Sequence, residues 1–151
     1  MSAHLYKRVK ELKAWIFAME YIHSRIRLEL AHIPTMLKEL LDNETYGKSL
    51  AAIHEFWAKY RDGGDVPSIL VESIDSGAGK SYMDQHDVEI IKSFARGLKN
   101  IDLDGQLNNC TKHIESLKCR LKLAEEDTAK KGKLYSSMGI LVGLFMVVIF
   151  I

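Results

Sequence analysis

Residues 134–151, LYSSMGILVGLFMVVIFI, carry no charged side chain, whereas residues 1–133 hold all 21 basic and all 20 acidic ones. This segregation constrains the fold more than any average over the chain. A helix buried in a protein core usually keeps a polar stripe. From Met138 onward there is none, since Met138, Gly139, Ile140, Leu141, Val142, Gly143, Leu144, Phe145, Met146, Val147, Val148, Ile149, Phe150 and Ile151 follow without interruption. As a helix, Leu134 to Ile151 would measure about 27 Å. With Tyr135 at the interface and Lys133 reaching for the headgroups, that suits a hydrocarbon layer of about 30 Å. A secretory signal would stand at the other end of the chain. The stretch therefore predicts a C-terminal transmembrane helix. Lys130, Lys131 and Lys133 stand just before it and mark the cytoplasmic side by the positive-inside preference. Gly139 and Gly143 form a GxxxG pair, which either permits close helix approach or reflects the general frequency of glycine in membrane helices.

Residues 1–131 predict an all-α domain, an antiparallel bundle of about six helices whose last member leads into the span. Only two prolines, Pro34 and Pro67, interrupt the chain. Leu5, Val9, Leu12, Ile16, Met19, Ile26, Leu30 and Ile33 recur at alternating steps of four and three, with His23 filling the one gap. This predicts a first helix over about 5–33 with a heptad seam. Trp15, Phe17, Ile22 and Leu28 widen that seam, and His23 reads as a hydrogen-bonded interface residue. Pro34 is expected to end or bend the helix. Further helices are predicted over 35–41, about 45–61, 66–73 and about 82–99, with breaks at RDGGDVP and DSGAGKS. The last helix should start near Asp102 or Asp104, either of which can cap it. Its seam is Leu107, Cys110, Ile114, Leu117, Leu121 and Ala124. Residues 125–133 are almost devoid of apolar side chains and predict a solvated polar stalk, continuous with the span or broken at Gly132.

A net charge of +1 argues against nucleic acid as a partner. SGAGKS resembles the end of a phosphate-binding loop, but the required first glycine is replaced by Ile74 and no buried strand precedes it. His4, His23, His32, His54, His86 and His113 show no metal-ligand spacing, and no serine sits in a nucleophile elbow. Cys110 and Cys119, nine residues apart on one helix, are too far apart to bridge and read as free thiols. Dispersed acids such as Glu20 and Glu29 read as solvated or ion-paired surface. The residues predict no catalytic, cofactor-binding or metal site. A bundle without such a site acts by contact, holding a partner at the membrane.

Two segments carry a resemblance to a known family. They are RVKELKAWIFAMEYIHSRI at residues 8–26, followed by IPTMLKEL, and GQLNNCTKHIESLKCRLKLAEEDTAKKGKLYSSMGILVGLFMVVIFI at residues 105–151. Together they resemble stage III sporulation protein AB of endospore-forming bacteria, most specifically at GKLYSSMGILVGL. The resemblance implies a component of the channel between mother cell and forespore. It implies a cytoplasmic six-helix bundle similar to the F platform protein of type II secretion systems. The implied partners are the secretion-type ATPase stage III sporulation protein AA and other membrane proteins of the channel. The implied location is the outer forespore membrane, with the bundle on the mother-cell side. Members of the family begin with a transmembrane helix of their own, so a further span is expected ahead of MSAHLYKRVKELK. A singly anchored form is the alternative, and an unrelated tail-anchored helical scaffold is the rival to the family reading.

Overall fold

The computed structural model describes the backbone of residues 3–29, 32–99 and 102–150, and the side chains of residues 3–27, 32–99 and 102–126. Among the described residues the chain is entirely helical. Six α-helices follow one another: α1 Ala3–Glu29, α2 Ile33–Leu41, α3 Ala51–Lys59, α4 Val66–Gly77, α5 Gln85–Gly97 and α6 Leu103–Phe150. Short 3-10 turns at Gly47–Ser49 and Ala78–Lys80 precede α3 and follow α4.

α1 and α6 form the long antiparallel pair. Lys13 meets Glu125 at 3.6 Å and Glu20 meets Lys118 at 3.4 Å. Seven residues forward on one helix are thus matched by seven backward on the other. α5 also runs antiparallel to α6, since Arg120 reaches Asp87 while Asn109 reaches Phe94. The bundle therefore has two ends. The proximal end holds the start of α1, the 3-10 turns and the α4–α5 connection. The distal end gathers residues 32–34, 64–67, 98–99 and 106.

The predicted seams supply the core. Leu5, Leu12, Ile16, Met19 and Ile26 are buried from α1, and Cys110, Ile114, Leu117 and Ala124 from α6. Met36, Leu37 and Leu40 of α2, Ile53 and Phe56 of α3, Leu70 and Ile74 of α4, and Ile91 and Phe94 of α5 close around them. Burial of each such aliphatic or aromatic side chain contributes about 1.5–3 kcal/mol. This core dominates the stability of a bundle in which α2, α3, α4 and α5, of 9, 9, 12 and 13 residues, are too short to stand alone in water.

Four boundaries differ from the sequence-based expectation, each for a local reason. Pro34 neither ends nor bends α1; it sits in the first turn of α2, where its missing N–H is not needed. The helix predicted over 45–61 is confined to Ala51–Lys59. The side chain of Asn43 accepts hydrogen bonds from the backbone N–H groups of Thr45 (3.0 Å) and Tyr46 (2.8 Å) and holds a turn there instead. α4 extends to Gly77 through what was expected to be a break. Ser73 and Ser76 donate to the carbonyls of Ile69 and Glu72, four residues back, so the serines lie along the helix rather than interrupting it. α5 begins at Gln85, not residue 82, because Asp84 caps it. His23 is half-buried, and among the described residues its ring has no hydrogen-bond partner.

Candidate functional site

The densest polar cluster lies near the proximal end, where α1, α5 and α6 converge. Asp84 and Asp87 form a reciprocal capping box. The Asp84 carboxylate accepts from the Asp87 N–H at 2.8 Å, and the Asp87 carboxylate accepts from the Asp84 N–H at 3.1 Å. Two arginines then close on the box from opposite sides. Arg8 of α1 donates from Nε to Asp87 Oδ2 at 2.9 Å, and Arg120 of α6 from Nε to Asp87 Oδ1 at 2.8 Å. A second nitrogen of each guanidinium reaches Asp84. Asp87 is fully buried, whereas Asp84 is half-exposed. Burial alone would raise the Asp87 carboxyl. The donors from Arg8 and Arg120, the Asp84 N–H and the Arg8 charge outweigh it and hold the carboxyl below its ordinary value. The cluster ties three helices together through one carboxylate.

A second buried network joins α5 to α6 nearer the distal end. Asn109 Nδ2 donates to the Phe94 carbonyl at 3.0 Å. The His113 ring bridges the Asn109 carbonyl at 2.7 Å and the Ser93 hydroxyl at 3.0 Å. Burial lowers the His113 pKa against the opposing pull of the Asn109 carbonyl, which favours the neutral ring. Gly97 leaves room for this contact, since a Cβ there would stand 1.9 Å from Asn109 Oδ1. Gly97→Ala should therefore displace Asn109 and leave the Phe94 carbonyl without its donor. The expected cost is about 1–3 kcal/mol, only partly offset by the better helix propensity of alanine. Chemical denaturation reads it; a variant as stable as the parent would mean that Asn109 re-pairs elsewhere at no cost.

Two concavities mark the ends. The proximal one, of about 340 Å³, has an apolar floor that includes Trp15, Ile74 and Ile91, and its rim carries Lys7, Lys10, Lys48 and Lys80. The distal groove is more open and combines Ile33, Pro34, Val66, Pro67 and Leu98 with Asp65 and Lys99. The SGAGKS segment does not adopt a phosphate-binding loop: its first part completes α4 and Ala78–Lys80 is a 3-10 turn, with no strand before it. Among the described residues no cluster of His, Cys, Asp and Glu could hold a metal ion. Cys110 is buried and its thiol is pushed up to about 11 by burial, while Cys119 is exposed, and both are free.

The residues expected to form the membrane span, from Leu134 to Ile151, and its flank, Lys130, Lys131 and Lys133, lie outside the residues whose side chains are described. The helical backbone of α6 passes through Gly132 and reaches Phe150. Among the described residues no helix is long and apolar enough to cross a membrane. The Arg8–Asp87–Arg120 cluster was not legible as a site, because its members stand 79 and 33 residues apart. The one local signal was DxxD at residues 84–87 ahead of an apolar run, a variant of the capping-box pattern.

Compared with known proteins, the chain matches the family "Stage III sporulation protein AB (spore_III_AB)" over residues 1–151. A solved structure described as stage III sporulation protein AB shares its fold, with a TM-score of 0.69 at 12% identity over 84% of this chain and 99% of that one. No curated protein matches the sequence.

Proposed function

This chain belongs to the stage III sporulation protein AB family, and from that premise we propose that it is a non-enzymatic, membrane-anchored platform of the channel between mother cell and forespore. On this reading residues 134–151 sit in the outer forespore membrane, and the bundle hangs on the mother-cell side and docks the secretion-type ATPase stage III sporulation protein AA there. Other membrane proteins of the channel would meet it within the bilayer, and the likeness to type II secretion platforms belongs to the same proposal. The family match over the whole chain carries the reading. Its support in the molecule is the polarity of the bundle. α6 leaves by the proximal end toward the apolar stretch, so that end faces the bilayer. A partner arriving from the cytoplasm meets the distal end and the flanks. The distal end presents Asp62, Asp102 and Asp104, all exposed, and holds an open groove with apolar walls. Rim charges of this kind govern encounter and orientation more than final affinity.

The test is a titration of the full chain, held in neutral nanodiscs, with the ATPase from the same organism. Saturable binding is expected, weakened about tenfold in an Asp62→Lys, Asp104→Lys double variant. No binding at high micromolar concentration, with helical circular dichroism intact, would remove the docking function. Binding untouched by the double variant would move the contact off the distal end.

A further inference from the structure

We propose that the proximal cavity binds the headgroup of an anionic phospholipid in the membrane that anchors the chain. The proposal rests on the membrane-anchored reading above for the position of the bilayer, and on the geometry of the cavity for the ligand.

Position comes from the α1–α6 register. Lys13 pairs with Glu125, and the two helices run antiparallel. Six residues toward the start of α1 stands Lys7, and six residues further along α6 is Lys131. Counted on at the same register, His4 comes level with Leu134, where the apolar stretch begins. Lys7 is then about 4.5 Å, three residues of helical rise, from the level of that boundary. Tyr82 shares the level, since Lys7 Nζ donates to its hydroxyl at 3.2 Å and its ring meets that of His4 edge-on. Tyrosine and lysine are the side chains that settle at a bilayer interface. The mouth of the cavity thus opens at headgroup height.

Chemistry comes from the lining. Lys10, Lys48 and Lys80 arrive from α1 and the two 3-10 turns, and all are exposed. Among the described residues none of the three has an ion-pair partner. Glu11 is the one acid in the lining, and its carboxylate already accepts from Ser81 Oγ at 2.7 Å and from the Tyr82 N–H at 2.9 Å. Four cations around one engaged carboxylate leave a positive rim, and the floor beneath it is apolar. A phosphodiester attached to a glycerol backbone matches that pairing. A volume of about 340 Å³ is at the small end for ligand pockets and suits a headgroup rather than whole acyl chains. Bulk attraction between basic residues and an anionic leaflet is general. The specific element is that three lysines from separate segments, without an ion-pair partner among the described residues, converge on one cavity.

The experiment is native mass spectrometry of the full chain in detergent micelles doped with either phosphatidylglycerol or phosphatidylcholine. Three proteins are compared: the parent, a Lys10→Gln, Lys48→Gln, Lys80→Gln variant, and a Lys130→Gln, Lys131→Gln, Lys133→Gln variant. The parent should retain phosphatidylglycerol at least tenfold better than phosphatidylcholine. The cavity variant should lose that preference, and the flank variant should keep most of it. A cavity variant that binds like the parent overturns the proposal, and so does equal retention of the two lipids. Displacement of phosphatidylglycerol by an equal concentration of inorganic phosphate would overturn the lipid assignment in favour of a free-phosphate site. Flotation of parent and variants with pure phosphatidylcholine liposomes reads anchoring separately. If the parent fails to float, the anchored reading falls, whereas lipid selectivity in micelles stands or falls without it.

Discussion

Asp87→Ala should lower the unfolding free energy by about 3–5 kcal/mol, the range for removing one partner of a buried, hydrogen-bonded charge pair. Asp87 is fully buried and serves two arginines and one backbone N–H at once. Its removal takes a carboxylate acceptor from the Nε groups of Arg8 and Arg120, whose side chains are only 15% and 20% exposed, and opens one half of the α5 capping box. Asp84 cannot replace it, because its carboxylate already caps Asp87 from a half-exposed position. An Arg8→Ala, Asp87→Ala double variant should be less destabilised than the two single changes summed, because each single change removes the same Arg8–Asp87 pair and that loss is counted twice in the sum. Urea denaturation of all three variants measures this. A loss below about 1 kcal/mol for Asp87→Ala would show that the cluster is solvated rather than a tie between helices.

The pH dependence follows with a definite sign. The Asp87 carboxyl is held below its ordinary value in the fold, so its contribution is fully present above about pH 4 and is lost as pH falls through the folded-state pKa. Asp87→Ala and the parent should therefore converge in stability in strong acid. His113 acts in a separate window. Its folded pKa is also lowered, so the neutral ring supports the fold above about pH 6.5, and that support is lost as pH falls through the folded pKa.

The seams of α1 and α6 were legible because their burial repeats at helical spacing within one continuous segment. Leu12, Met19, Cys110 and Leu117 are each fully buried where the pattern put them. Pro34 was misplaced because proline punctuates a helix from either side, and a one-dimensional pattern does not say whether it ends one element or begins the next. The DSGAGKS segment misled for a related reason. Serine and glycine favour breaks on average, yet Ser76 finds a carbonyl one turn back on α4. The cluster around Asp87 and the close approach of Gly97 to Asn109 were not legible. Both depend on which helix faces which, and the charges of Arg8, Asp87 and Arg120 look individually like ordinary surface. The lysines of the proximal cavity share that property, since residues 10, 48 and 80 meet only once the chain has turned back on itself twice.

Val142→Arg, near the middle of the apolar stretch, should release the chain from membranes that hold the parent. Residues 134–151 contain eleven Leu, Ile, Val and Phe side chains, worth together about 3–7 kcal/mol of insertion free energy at about 0.3–0.6 kcal/mol each. Ser136, Ser137, Gly139 and Gly143 subtract from that total. An arginine at the centre of the stretch costs about 2.5–3.5 kcal/mol, comparable to what is left. A charge at the edge costs less, because its side chain can reach the headgroups. Ser136→Arg, close to Lys133, should accordingly leave the chain in the membrane, and Val142→Leu should hold it at least as firmly as the parent. Flotation with phosphatidylcholine liposomes after an alkaline wash distinguishes the three variants. The bundle should be indifferent to all of them, with unchanged denaturation of residues 3–126, because the three substitutions lie beyond Ala124, the last of the described buried residues of α6. If Val142→Arg floats like the parent, the apolar stretch is not what holds this chain at a bilayer. The attachment would then have to come from the bundle's own proximal surface.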